Sequence, residues 1–139
     1  MDSRTTSLVD VVAALVCVAT GVVALVGHAR WRARHAAQVP RPGRLSEVTR
    51  VLRRGDRLTP EQRPLAVAVV EQGALTALTM AGLLVLCAAQ IAYAARQPDG
   101  GLLLVLFAAA ASIALSALVT IGRQTLVARR QGVRPERLW

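Results

Sequence analysis

Residues 101–122 read GLLLVLFAAAASIALSALVTIG, a run without one ionisable side chain. At 1.5 Å per residue such a run rises about 33 Å as a helix, enough to cross a hydrocarbon core about 30 Å thick. An Ala-rich run with no period-two alternation does not read as a barrel strand. Lipid gives the backbone no hydrogen-bond partner, so an unbroken helix is the remaining solution.

Working outward, two further blocks have the same character. Residues 8–27 are apolar apart from Asp10, and residues 65–95 are uncharged from Gln72 onward. The whole chain is 54% hydrophobic and 18% charged, whereas a soluble domain carries about 45–50% and about 25%. That balance excludes a disordered tail and an ordinary soluble enzyme. With Cys17 and Cys87 as its only cysteines, the chain is no disulfide scaffold. The first block is expected to be a retained helix and not a cleaved signal peptide, because its Arg cluster, Arg30, Arg32 and Arg34, follows the apolar run instead of preceding it.

All 17 basic residues are Arg, and their distribution sets the threading. Ten lie between residues 28 and 66 and five after residue 122, leaving Arg4 and Arg96 for the other two exposed segments. Arg-rich segments stay on the cytoplasmic side. The expected fold is an all-α membrane protein with three transmembrane helices, its N-terminus outside and its C-terminus inside. The expected segments are an outer N-terminus 1–7, span 8–27, a basic connector 28–64, span 65–95 with a cytoplasmic extension, an outer turn 96–100, span 101–122 and a basic tail 123–139. The Arg usage and Ala/Val/Leu-rich spans suit a GC-rich bacterium, and hence its plasma membrane.

The connector carries its own signals. Pro40 and Pro42 exclude regular helix around them. A short amphipathic cytoplasmic helix is expected over 46–54, with Ser46 as N-cap, Val48, Val51 and Leu52 on one face, and Gly55 as the terminating glycine. Thr59, Pro60 and Gln62 form a capping-box pattern that would start the next helix, with Pro64 favouring a bend or a later start. Trp31 and Tyr93 fall at the two interfaces, where amphipathic aromatics anchor. Arg30, Arg32, Arg34, Arg50, Arg53, Arg54, Arg129 and Arg130 are the expected contacts to anionic headgroups.

Small residues at four-residue spacing mark expected packing faces: Ala13, Cys17 and Gly21; Gly73, Ala77 and Ala81; Ala108, Ser112, Ser116 and Thr120. Small side chains let backbones approach, and hydroxyls can bond across helices. The last stripe is expected to be the main packing face.

Chemistry is sparse. His28 and His35 share a helical face, but two histidines without a nearby third ligand make no metal site. Asp10, Glu71 and Gln90 are too far apart along the spans for an ion path. No nucleophile, base and orienting group fall together, no Gly-rich loop offers a phosphate cradle, and the connector has only Trp31 to stack a base. No catalysis, no cofactor and no nucleic-acid partner are expected. The expected role is an accessory or stabilising subunit of a larger membrane complex, with other membrane subunits and anionic lipids as partners. The alternatives are a homo-oligomeric small transporter or channel, and a subunit of a membrane enzyme whose active site lies on another chain.

Overall fold

The computed structural model describes residues 3–36 and 43–134, with side chains described from residue 8. The chain forms α1 (Ser3–His35), α2 (Arg44–Arg54), α3 (Arg63–Ala94) and α4 (Gly101–Arg130), with no strand among the described residues. Three of these helices, over Leu8–His35, Arg63–Ala94 and Gly101–Arg130, are long and apolar enough to cross a membrane. The Pro40–Pro42 stretch and residues 135–139 lie outside the described residues.

The long helices form an open row. α1 and α4 each pack along α3, and they do not touch each other. Both contacts are antiparallel. Thr20 meets Gly82 while Gly27 meets Leu75, and on the other side Gly73 meets Ile121. On α1 the half-buried and buried positions include Asp10, Ala13, Cys17, Thr20, Ala24, Gly27 and Trp31. On α4 they include Leu104, Phe107, Ala111, Ala114, Leu118, Ile121, Thr125 and Ala128. Both sets alternate steps of three and four, the spacing of a coiled-coil seam.

These seams correct the expected packing faces. A strict four-residue step drifts around a helix of 3.6 residues per turn, so a real seam must insert threes. Ala13, Cys17, Gly73, Ala77, Ala108 and Thr120 are buried or half-buried, but Ala81, Ser112 and Ser116 are exposed. α4 therefore meets α3 through Ala114 and its seam neighbours, not through a serine stripe. The hydroxyls do not bridge helices. Ser112 donates to Ala108 O, Ser116 to Ile113 O and Thr120 to Ser116 O, all on their own helix. A hydroxyl satisfied by its own carbonyls can face lipid without an unmet donor. Gly21 is half-buried, and a Cβ added there would have nothing within 4 Å. The close approach belongs to Gly82, where an added Cβ would collide with Thr20 Oγ1 and lie 3.1 Å from Thr20 Cβ.

The Arg-rich end has a second kind of core. Val48 and Leu52 of α2 are buried against Ala66, Val69 and Val70 of α3, Ala128 of α4, and Val133. Ser46 lies within the first turn of α2, where its hydroxyl donates to Gly43 O, so the helix begins two residues earlier than expected. Gly55, at φ 80°, closes α2: its N–H and that of Asp56 reach back to Leu52 O and Val51 O. Gly132, at φ 77°, does the same for α4 and turns Val133 back onto the cluster. Gln131 fastens the two segments, accepting from Leu58 N–H at 2.8 Å and donating to Asp56 O at 2.8 Å.

α3 starts at Arg63, after the expected Thr59. The Gln62 side chain accepts from Thr59 N–H at 3.2 Å, half of a capping box, but residues 59–62 form a turn. Pro64, without an N–H, sits in the first turn, where none is needed.

Substituting Gly82→Ala should destabilise the α1–α3 contact by about 1–3 kcal/mol, the usual range for overpacking. Gly21→Ala should be close to neutral. Thermal unfolding in detergent, followed by circular dichroism, separates the two, and adding Thr20→Ala to the Gly82 variant should recover part of the loss.

Candidate functional site

The residues with chemistry gather where α1 and α3 leave the apolar zone. Gly27 is the last residue of an uncharged stretch on α1, and Gln72 stands just before one on α3. One turn beyond, α1 carries His28, Trp31 and His35 at steps of three and four, so they share a face toward α3. α1 is continuous to His35, which keeps this face in register with the seam below it.

The sequence places Trp31 at the inner interface as an aromatic anchor. It is instead buried, 8% exposed, in a cluster with Ala68 and Leu75, with Leu45 of α2 packed against it. Its indole N–H donates to Ala68 O at 3.0 Å. A buried indole needs such a partner, and the available carbonyl one turn inside α3 supplies it. Its ring stacks on His35, centroids 5.3 Å apart, and meets His28 at 6.0 Å with a tilt of 46°.

Close to Trp31 lies the one acidic side chain that is almost wholly buried among the described residues. Glu71 is 2% exposed, and the neighbouring His35 is 9% exposed. His35 Nε2 stands 3.6 Å from Glu71 Oε2, and its Nδ1 lies 3.1 Å from Trp31 O. A carbonyl oxygen only accepts, so the Nδ1 contact requires a hydrogen on that nitrogen and directs Nε2 at the carboxylate. Glu71 Oε2 has no hydrogen-bond partner at all. The group that faces Glu71 across the α1–α3 contact is an imidazole. Three residues are thus interlocked: Trp31 ties α1 to α3, His35 stacks on Trp31, and His35 faces Glu71.

A groove of about 410 Å³ opens beside this lock. Trp31, Ala36 and Leu45 form its apolar walls, while His28, Arg32 and Gln72 bring polar groups to it and His35 closes its inner side. The spacing of His28, Trp31 and His35 in the sequence could have revealed the shared face. What it could not reveal is that α3 supplies Glu71 and Gln72 at the same level.

The remaining expected interface residues are where solvent or headgroups can reach them. Arg30, Arg32, Arg34, Arg50, Arg53, Arg54, Arg129 and Arg130 are exposed at one end, and Tyr93 is exposed at the other. Cys17 and Cys87 are free thiols. Among the described residues no cluster of three or more His, Cys, Asp or Glu could hold a metal ion.

The buried pair makes a clear energetic prediction. His35→Leu leaves the carboxylate without its partner and should cost about 3–5 kcal/mol, while His35→Leu with Glu71→Leu should restore most of that. Unfolding of the single and double variants in detergent measures both. Equal destabilisation of the two would mean that the imidazole contributes only packing.

Comparison with family models, with curated proteins and with solved structures finds no match, so the functional reading rests on this chain's own residues and geometry.

Proposed function

We propose that the chain is a multi-pass protein of a bacterial plasma membrane, with its N-terminus outside and its Arg-rich end in the cytoplasm. There it acts as a non-catalytic accessory or stabilising subunit, packing against other membrane subunits and holding anionic lipid at its basic end. The short helix α2, with Val48 and Leu52 turned inward and Arg50, Arg53 and Arg54 outward, lies on the cytoplasmic side. Arg counting supports the orientation, since 15 of the 17 Arg fall in the connector and the C-terminal segment.

The observation that carries the accessory reading is the open row. α1 and α4 use one seam each on α3 and leave their other faces uncovered. Among the described residues the three helices form a row in which α1 and α4 do not close on each other around a central space. They do present an apolar furrow of about 510 Å³ between the start of α1 and the end of α3, where Ala88, Ala89 and Ala92 leave room opposite Leu8 and Val12. Alanine-lined furrows admit a neighbouring helix closely, which is how helices associate in lipid. The Ser112 and Ser116 face of α4, unused within the chain, is a second candidate for such a neighbour.

Extraction in a mild detergent followed by native mass spectrometry should find the chain with another membrane protein. A strictly monomeric particle with nothing bound would overturn this reading, and a ring of identical copies would favour the small transporter or channel. For threading, single cysteines replacing Asp99 and Arg57, in a chain without Cys17 and Cys87, should react differently with an impermeant maleimide. Asp99→Cys should label in intact cells, and Arg57→Cys only after permeabilisation.

A further inference from the structure

On the reading that the basic end faces the inner leaflet, we propose that the groove beside Trp31 binds the phosphate headgroup of an anionic phospholipid. Depth is the first reason. His28 follows the last residue of the α1 span and Gln72 precedes the uncharged run of α3, and both line the groove. A lipid phosphate lies at this level, just beyond the hydrocarbon.

Charge is the second. Among the described residues no acidic side chain lines the groove. Glu71, next in sequence to the groove residue Gln72, is buried and faces His35. On α1 the titratable or charged groups at the groove are His28, Arg32 and His35; α2 contributes the apolar Leu45 and α3 the neutral Gln72. The Nδ1 of His35 is taken up by Trp31 O and its Nε2 is turned toward Glu71, away from the groove's other donors, so the ring serves as a wall. The donors left for an anion are the Arg32 guanidinium, the His28 ring and the Gln72 amide. Guanidinium matches a phosphate's oxygens through two parallel hydrogen bonds.

Shape is the third. Trp31, Ala36 and Leu45 give the groove an apolar side, suited to the glycerol and the first acyl carbons that accompany a lipid phosphate. That side is rigid before anything binds, because Trp31 is held by its bond to Ala68 O and by the His35 stack. Binding to a prearranged site loses little ordering entropy. A soluble anion would use the donors but leave the apolar wall wet, which is why the lipid is the occupant of choice.

Trp31 lines the site and is therefore its reporter. Trp139 is the only other tryptophan, so the full chain carrying Trp139→Phe isolates its fluorescence. That chain is reconstituted in phosphatidylcholine vesicles containing small fractions of acyl-brominated phosphatidylglycerol or acyl-brominated phosphatidylcholine. Half-maximal quenching should need about tenfold less brominated phosphatidylglycerol than brominated phosphatidylcholine, the scale expected of one or two cationic donors near the surface. Arg32→Gln should remove most of that preference and Arg32→Lys should keep part of it. Arg30→Gln, an exposed neighbour that does not line the groove, should leave it unchanged. Equal quenching by the two lipids would overturn the proposal. So would an equal loss in the Arg30 and Arg32 variants, which would mean diffuse surface charge, or displacement of the lipid by millimolar glycerol phosphate. Symmetric vesicles give the same readout whichever way the chain inserts. A failure of the proposed orientation or assembly therefore appears in the labelling and mass spectra and not in this quenching.

Discussion

Between two helices in hydrocarbon there is no hydrophobic force to draw them together, because lipid tails are as apolar as leucine. What holds α1 and α4 to α3 must therefore be closeness of approach. Gly82 under Thr20, and Gly27 under Leu75, bring α1 to a distance at which an extra Cβ has no room. On the other side, Gly73 meets Ile121 with little to spare, an added Cβ lying 3.3 Å from its Cγ2. Each atom pair at such contact gives only about 0.1–0.2 kcal/mol, so length matters as much as fit, and both seams run most of the span. α3 is the member on which the other two depend.

At the Arg-rich end the physics changes. Val48, Leu52, Val69, Val70 and Val133 form a cluster like the core of a small soluble domain, closed by two left-handed glycines and the Gln131 amide. α2 is too short to persist alone in water, and this cluster is what it leans on. The helix thereby fastens the ends of α3 and α4 that the seams only align. The lock of Trp31, His35 and Glu71 does the same for the end of α1, with one difference. An unpaired buried carboxylate is costly, so it specifies its partner, whereas apolar contacts tolerate a slip of register. Such a pair contributes more to fixing how α1 sits on α3 than to net stability.

Much of this was legible in the sequence. The three spans follow from run length and missing charge, and the glycine that ends α2 from its place after a polar helical face. The seams were not legible as four-residue stripes. Alanine is so common here that Ala108, Ser112, Ser116 and Thr120 line up although Ser112 and Ser116 are exposed, while the true seam of α4 mixes Leu104 and Phe107 with Ala111 and Ala114. Trp31 misled for a related reason. An aromatic at the edge of a span satisfies its N–H equally well in headgroups or on a carbonyl of the next helix, and only the position of Ala68 decides between them. Glu71 needed the fold itself, because its partner lies on a different helix, 36 positions away in sequence.

Exposed apolar area therefore carries a different meaning on this chain than on a soluble one. Leu15, Val18, Leu25, Ile113 and Val119 are exposed, yet lipid covers such side chains at no cost and they ask for no partner. What lipid fills poorly is a concave surface narrower than a disordered acyl chain prefers. Such a surface arises where small residues face large ones across two helices. On these three helices that condition is met at the furrow between Leu8, Val12 and Ala88, Ala89, Ala92, at the end remote from the arginines. The two ends of the molecule thus differ in kind: one concentrates charge, a lock and a polar groove, and the other offers bare alanine backbone. A subunit that joins a neighbour through helix packing at one end and engages headgroups at the other would need both features, and would need α1 to stay in register over its whole length. The Glu71 pair, set at the basic end of the seam that continues up to the furrow, supplies that register.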